Sequence, residues 1–206
     1  MNPSSDSRYV DVAYTNGYEF TQGLGYSLPQ YPFIAPAELL DKRVGKHPVV
    51  IVGGGITGLT LACGLAKLGV PAVLLDEDNT VGVKGASSRG ICYTQKSLEI
   101  FQRYGIFDRI ARKGVEWSVG RTFAGHDEVF SFDLKAQSSF NLSQQPAFIN
   151  IQQFYIEGYL VERIAELGRD RPGVELRWSS RVTAFEQQGP SALLTIQTPQ
   201  GSYQIE

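Results

Sequence analysis

The sequence predicts an α/β domain that begins with a βαβ unit, and three observations support this fold class. Residues 49–52 form a continuous apolar run rich in β-branched side chains, which is typical of a parallel strand covered on both faces. A glycine-rich turn follows, and the apolar spacing from Leu59 to Leu68 predicts a helix that ends at Gly69. A second apolar run, residues 72–75, completes a unit of about thirty residues, the size that a βαβ unit needs.

Further elements follow along the chain. We expect a helix over 94–104 that is capped by Gly105, a strand pair within 117–134 that turns at Gly125, and a polar loop over 135–147. A second amphipathic pattern predicts a helix over 153–167. After Pro172 and Gly173, alternating residues predict three or four short strands, over 174–178, 181–187, 192–198 and from 201 onward.

Composition excludes several classes of partner. The 206-residue chain has a net charge of −2, so no basic surplus points to nucleic acid or to an anionic membrane. Its most apolar stretch, residues 49–75, contains six glycines together with Lys67 and Pro71, which is atypical of a helix that spans a bilayer. The first part of the chain lacks the features of an export signal, so we expect a cytoplasmic protein with no membrane partner. A homodimer is allowed, but the oligomeric state is not determined.

The reactive side chains are few. His47 and His126 have no carboxylate or cysteine partner at a suitable spacing, and we expect both at the surface or in loops. Cys63 lies on the apolar face of the first helix and is expected to be a core thiol, while Cys92 is the only other cysteine. No metal site is therefore predicted, and the sequence identifies no catalytic residue.

The glycine-rich turn has the spacing of a dinucleotide-binding site. Gly53, Gly55 and Gly58 match the pattern G-x-G-x-x-G directly after a buried strand and at the start of a helix. The first glycine allows the tight turn, the second lets a pyrophosphate approach the backbone, and the third lets the helix pack closely on the sheet. The N–H groups near Ile56 and Thr57 and the helix dipole would then hold the phosphate charge.

An acidic partner stands where this site requires one. Asp76 ends the second strand, eighteen residues beyond Gly58, and a carboxylate there accepts hydrogen bonds from the ribose hydroxyls. Glu77 and Asp78 follow directly, so Glu77 is a rival for the same role, but strand alternation favours Asp76. A carboxylate here disfavours the additional phosphate of NADP at this site, since the two anions would repel.

The segment after the second strand carries a family resemblance. Residues 87–93 (SSRGICY) and then 94–101 (TQKSLEIF) resemble the corresponding segment of FAD-dependent aromatic-ring monooxygenases, in which an arginine in a small-residue loop precedes a helix of this form. In that family the arginine contacts the phosphate region of FAD, so the resemblance assigns this role to Arg89.

A second matching segment lies downstream. Gln153, Glu157 and Leu160 resemble the Q-x-x-x-E-x-x-L helix start of the same family, in which the glutamine approaches the flavin or its pyrophosphate. The resemblance therefore assigns a cofactor contact to Gln153. It covers about residues 47–206 and is strongest to the phenol and 3-(3-hydroxyphenyl)propionate hydroxylase-like branch.

The resemblance implies a cofactor and a reaction. FAD would be the bound dinucleotide, NAD(P)H and O₂ the co-substrates, and a small aromatic, phenolic compound the substrate that is hydroxylated. Two alternatives remain open from the residues alone. One is an NAD-dependent dehydrogenase, which explains the glycines and Asp76 but not the segments of Arg89 and Gln153. The other is an inactive chain that binds only the ADP part of FAD.

The same resemblance divides the chain. Residues 1–46 are expected to form an extended N-terminal arm, whose aromatic residues such as Tyr31 indicate that it packs on another surface rather than extending freely into solvent. Residues 47–206 would form a Rossmann-like FAD-binding domain, with residues 115–147 as an excursion toward a mixed or antiparallel β substrate domain. Since the chain ends within a predicted strand and before the family's later motifs, we expect a fragment of a longer protein.

Overall fold

A computed structural model describes residues 9–12, 26–82, 90–136, 143–170 and 173–206. The helices of these residues are α1 (Ala37–Asp41), α2 (Ile56–Leu68), α3 (Gln95–Tyr104), α4 (Phe107–Lys113) and α5 (Gln153–Asp170). The strands are β1 (Tyr9–Val12), β2 (Tyr26–Pro29), β3 (Val50–Val52), β4 (Ala72–Leu75), β5 (Cys92–Thr94), β6 (Val115–Trp117), β7 (Val119–Ala124), β8 (Asp127–Asp133), β9 (Phe148–Asn150), β10 (Val174–Arg177), β11 (Arg181–Gln188), β12 (Ser191–Thr198) and β13 (Gly201–Ile205).

A three-stranded parallel sheet lies at the centre of the domain, in the order β10–β4–β3. All four residues of β4 are buried, as the continuous apolar run predicts for a strand covered on both faces. Leu74 packs in the cluster that contains α2 and α5, whereas Val73 and Leu75 pack against β12 and β13. The parallel sheet therefore separates a helical layer from an antiparallel sheet, β11–β12–β13, and the predicted βαβ unit is confirmed as β3–α2–β4.

A second group of strands, β5 to β9, lies along the chain between β4 and α5. β5, β9 and β6 form an antiparallel sheet, and β7 and β8 form a hairpin with Gly125 at a φ of 64° in its turn. The predicted strand pair is thus confirmed, but Trp117 belongs to the separate strand β6. Helix α4 was not predicted, because its seven residues are too few for the apolar period to identify it.

The last long helix extends further than its apolar pattern. Side-chain periodicity predicts an end at Leu167, whereas α5 continues to Asp170. Gly168 lies inside the helix with open space around it, and a single glycine weakens a helix without necessarily ending it. Within the described ranges, none of the helices combines the length and apolar character that a bilayer crossing requires.

The N-terminal segment is more structured than the expected extended arm. β1 pairs with β2, α1 follows, and Gly45 forms a bridge with Ile205 of β13. Tyr31 stacks on Trp178, with 4.4 Å between the ring centroids, so this segment packs as its aromatic residues indicated, and the surface that it packs on includes Trp178. The sequence did not predict α1, because its five residues are held by groups that lie far away in the chain.

A buried polar network attaches α1 to the parallel sheet. Glu38 of α1 accepts a hydrogen bond from Arg177 of β10 at 3.3 Å, and its Oε1 lies 2.7 Å from His47 Nε2. Arg177 also donates to both carboxylate oxygens of Glu175 and to the hydroxyl of Tyr203. Sequence spacing gave no carboxylate partner for His47, and the fold supplies one because α1 turns the chain so that Glu38 comes back to it.

Candidate functional site

The glycine-rich turn is held by close backbone contacts. Gly53 has a φ of 107°, a conformation that side chains rarely allow, and its N–H donates to the Leu75 carbonyl at 2.8 Å. A Cβ on Gly58 would lie 2.0 Å from the Gly53 carbonyl oxygen, so only glycine lets α2 approach the turn this closely. A Cβ on Gly53 would meet no heavy atom of the described residues within 4 Å. The turn is therefore packed tightly on its helix side and open on the other.

Asp76 lies at the carboxyl end of β4 and stabilises the same turn. Its Oδ2 accepts the Gly54 N–H at 2.5 Å, and its Oδ1 accepts the Asp78 N–H at 2.8 Å. A carboxylate offers about four acceptor positions, so both oxygens retain capacity for hydroxyl donors. The side chain is only partly buried, and it can therefore bind a sugar while it holds the turn.

A cavity opens at the carboxyl ends of β3 and β4, where ligands bind in open α/β sheets. Its volume is about 210 Å³, and Gly53 and Asp76 line it together with Glu77 and the start of β11. Arg181 lies at its edge, 3.5 Å from a carboxylate oxygen of Glu77. A wider depression of about 540 Å³ shares Glu77 and Arg181 and extends over the β12–β13 turn. The space beside Asp76 is thus lined by both polar and apolar side chains.

Helix α5 delivers two further polar side chains to the turn. Gln153 Oε1 accepts the Gly90 N–H at 3.2 Å, and Gln153 Nε2 donates to Glu157 Oε1 at 2.7 Å. Glu157 also accepts hydrogen bonds from the backbone N–H groups of Ile56 and Gly82. The side chains at these two positions therefore connect α5 to the first turn of α2 and to the segments on either side of residues 83–89.

Glu157 is a buried carboxylate beside the proposed anion site. Only 3% of the residue is exposed. Burial raises the pKa of Glu157 and the negative charge of Asp76 adds to this, while the hydrogen bonds from Gln153, Ile56 and Gly82 act in the opposite direction. The carboxylate is thus held where desolvation and a like charge oppose its ionised form.

The structure brings most of the predicted site residues together. The glycine turn, Ile56, Thr57, Asp76 and Glu77 surround one end of the sheet, and Gln153 joins them from α5. Arg89 lies outside the described residues. The sequence analysis gave Glu157 no role beyond its place in the Q-x-x-x-E-x-x-L motif. The feature that could have identified it is a glutamate on the apolar side of α5, four residues after Gln153.

The geometry defines a dinucleotide-binding α/β domain. The N–H groups at the start of α2 have no carbonyl four residues earlier within the helix, and Gly55 at the N-cap leaves their approach open. A carboxylate at the end of the next strand and a cavity beside it complete the requirements for a bound ADP moiety. The residues present therefore fit the ADP part of FAD.

Comparison with known proteins identifies the family. The profile of the FAD binding domain family matches residues 46–206, and the chain belongs to this family. Para-nitrophenol 4-monooxygenase of Pseudomonas sp. strain WBC-3 is 26% identical over 160 residues, which are 76% of this chain and 37% of that protein. A 3-(3-hydroxy-phenyl)propionate/3-hydroxycinnamic acid hydroxylase of Mycobacterium sp. strain JLS is 28% identical over 139 residues, which are 68% of this chain and 23% of that protein.

A solved structure agrees with these relatives. The crystal structure of p-nitrophenol 4-monooxygenase PnpA from Pseudomonas putida DLL-E4 matches with a TM-score of 0.68 and 25% identity, over 79% of this chain and 39% of that one. The predicted family, the fold class and FAD as cofactor are confirmed. The comparisons lend no support to the NAD-dependent dehydrogenase alternative. The chain spans well under half the length of the relatives that it matches.

Proposed function

We propose that this chain binds the ADP part of FAD at the glycine turn, as part of an FAD-dependent monooxygenase that hydroxylates a phenolic substrate with NAD(P)H and O₂. The observation that carries the proposal is the close packing of Gly58 on the Gly53 carbonyl beside the Asp76 carboxylate and its cavity. The similarity to a p-nitrophenol monooxygenase and a hydroxyphenylpropionate hydroxylase supports the aromatic substrate class.

Different residues of the site would bind the pyrophosphate and the ribose of FAD. The pyrophosphate would lie at the N-terminus of α2, beside Gly55, Ile56 and Thr57, where the helix dipole and the N–H groups that do not donate to Glu157 favour an anion. Asp76 would accept the ribose hydroxyls, with Glu77 at the rim of the same cavity. FAD, when bound, supplies the electron transfer from NAD(P)H and the chemistry with O₂, while the protein orients it and excludes water.

Two cofactor contacts rest on the family resemblance. Gln153 would contact the flavin or its pyrophosphate, and its hydrogen bond with the Gly90 N–H supports this assignment. Arg89, the residue directly before Gly90, would contact the phosphates.

The proposed division of the chain into domains rests on the same family resemblance. Residues 1–46 would be an arm on a partial FAD-binding domain of residues 47–206, and residues 115–147 would reach toward the substrate domain. Exposed apolar residues on the β7–β8 hairpin support that excursion: Val119, Phe123, Val129, Phe130 and Phe132. A reducing, cytoplasmic compartment is proposed on the low number of cysteines.

FAD binding tests the cofactor site. FAD is titrated into the 206-residue chain, and quenching of flavin fluorescence gives the Kd. Asp76→Asn removes the charge and one acceptor position, so we expect the Kd to rise about tenfold, in line with the loss of a charged hydrogen bond. Asp108→Asn, the same chemical change at an exposed residue of α4, serves as the matched control and should leave the Kd unchanged. Equal binding by Asp76→Asn and the wild type would contradict the assignment.

The reaction is tested separately. Oxidation of NADPH and of NADH is followed with the FAD-loaded chain, with and without a panel of substituted phenols. Oxidation that the phenols stimulate, with hydroxylated product, supports the monooxygenase function for these residues. FAD binding with no oxidation of either nucleotide supports the alternative, in which these residues hold only the ADP part of the cofactor.

A further inference from the structure

Glu157 is a buried charged residue, and no cationic side chain in the described part of the chain forms an ion pair with it. Buried glutamates normally pair with a cation, yet the three donors to Glu157 are all neutral: the Gln153 amide and the N–H groups of Ile56 and Gly82. A carboxylate that accepts three hydrogen bonds is well satisfied despite its burial. The arrangement therefore points to a specific task for an acceptor at this position.

The three donors come from three different segments. Ile56 is the first residue of α2, Gly82 lies in the segment after β4, and Gln153 begins α5. A Cβ on Gly55 would lie 3.9 Å from Glu157 Oε1, so the carboxylate is directly beside the turn. One side chain thus connects the N-terminus of α2 to the helix that packs on it.

The carboxylate also determines the orientation of Gln153. Gln153 Nε2 donates to Oε1 of Glu157, which leaves Gln153 Oε1 to accept the Gly90 N–H. If the amide rotated by 180°, two oxygens would face each other and the Gly90 N–H would face an NH₂ group. The orientation of the Gln153 side chain therefore depends on Glu157.

We propose that Glu157 is a positioning residue of the FAD site, whose buried carboxylate holds the first turn of α2 and the Gln153 amide in the arrangement that receives the cofactor. The role rests on the proposed function of the turn. A negative group here acts against a bound pyrophosphate, as the neighbouring Asp76 also does. Its electrostatic cost is offset by the three donors, which a neutral amide could not satisfy together.

A double-mutant cycle tests this role in the 206-residue chain. FAD Kd values are measured for Glu157→Ala, Gln153→Ala and the double variant. Each single change should raise the Kd about tenfold. Because Glu157 acts in part through Gln153, the double variant should fall short of the product of the single effects by at least about threefold. Multiplicative effects would overturn the proposal.

Two further variants separate positioning from charge and from general loss of folding. Glu157→Gln keeps the size and one acceptor oxygen, so its Kd should lie between those of the wild type and Glu157→Ala, and it replaces the alanine variant in the cycle if that variant does not fold. Tighter FAD binding by Glu157→Gln would overturn the proposal, because the charge would then outweigh the positioning. Glu162→Gln, on the 61% exposed side chain of the same helix, is the control and should leave the Kd unchanged.

A measurement without FAD completes the test. Amide hydrogen exchange at Ile56 and Gly82 should accelerate in Glu157→Ala relative to the wild type, since both N–H groups lose their acceptor. Unchanged exchange and an unchanged FAD Kd would overturn the positioning role alone. Failure of the wild-type chain to bind FAD would contradict the proposed function and the positioning role with it.

Discussion

The contact between Gly58 and Gly53 allows a quantitative prediction for Gly58→Ala. The new Cβ would lie 2.0 Å from the Gly53 carbonyl oxygen and 3.3 Å from Ile51 Cγ2. Real Cβ atoms essentially never come closer than 3.0 Å to such a neighbour. Since the obstructing atom belongs to the backbone, α2 and the turn must separate by at least about 1 Å.

The energetic cost follows from that displacement. Overpacking costs about 1–3 kcal/mol, and a clash with backbone lies at the upper end, while alanine recovers about 1 kcal/mol of helix propensity. We expect a net loss of about 1–2 kcal/mol in the free energy of unfolding. For a chain of this size the Tm should fall by about 2–8 °C. The displaced turn should also raise the FAD Kd at least about tenfold.

The matched control is Gly168→Ala, the same chemical change in the helix interior of α5. A Cβ on Gly168 would meet no heavy atom of the described residues within 4 Å. The free energy of unfolding of this variant should therefore rise by about 0.5–1 kcal/mol, and its FAD Kd should equal that of the wild type. Thermal unfolding is followed by far-UV circular dichroism, and FAD binding by fluorescence quenching. The reasoning is refuted if Gly58→Ala melts at or above the temperature of Gly168→Ala, or if its FAD Kd is that of the wild type.

Three further predictions concern the core and the attachment of α1. Arg177→Met should lower the free energy of unfolding by about 3–5 kcal/mol, because it leaves the buried Glu38 carboxylate without the Arg177 guanidinium. Arg109→Met, which removes partly exposed ion pairs, should lower it by about 1 kcal/mol or less. Equal decreases for the two variants in urea unfolding would contradict this prediction. Burial opposes ionisation of Glu38, but its hydrogen bonds and Arg177 hold its pKa below the usual 4.5. The resulting stability is present at neutral pH and lost as the pH falls through the lowered pKa, so Glu38→Gln should flatten the acid side of a Tm–pH profile; an unchanged slope would refute it. Burial raises the pKa of the Cys63 thiol to about 11, whereas Cys92 is exposed. A maleimide at pH 8 should therefore label Cys92 alone in the native chain and both thiols in denaturant. Labelling of both thiols in the native chain would contradict the burial of Cys63.

Sequence patterns predicted the elements whose causes are local. The β-branched run of β3, the glycine spacing and Asp76 at the end of β4 express requirements of a few neighbouring residues: a tight turn, a close helix approach and a strand end. The same holds for the hairpin turn at Gly125. These features could be predicted because glycine adopts such backbone geometry at the lowest cost and because a strand buried on both faces needs apolar residues at every position.

Tertiary structure decided which polar side chains would be buried and with what partners. The sequence shows Glu38 only as a charged residue of the expected arm, and Glu157 and Arg177 only as charged residues of a predicted helix and a predicted strand. The contact of α1 with β10 joins positions 139 residues apart. The cost of burying a charge depends on donors that only packing brings together, so no local pattern predicts it. The sequence by itself therefore determined where a dinucleotide can approach the backbone, and the packing of α5 on α2 determined that Glu157 holds that backbone in place.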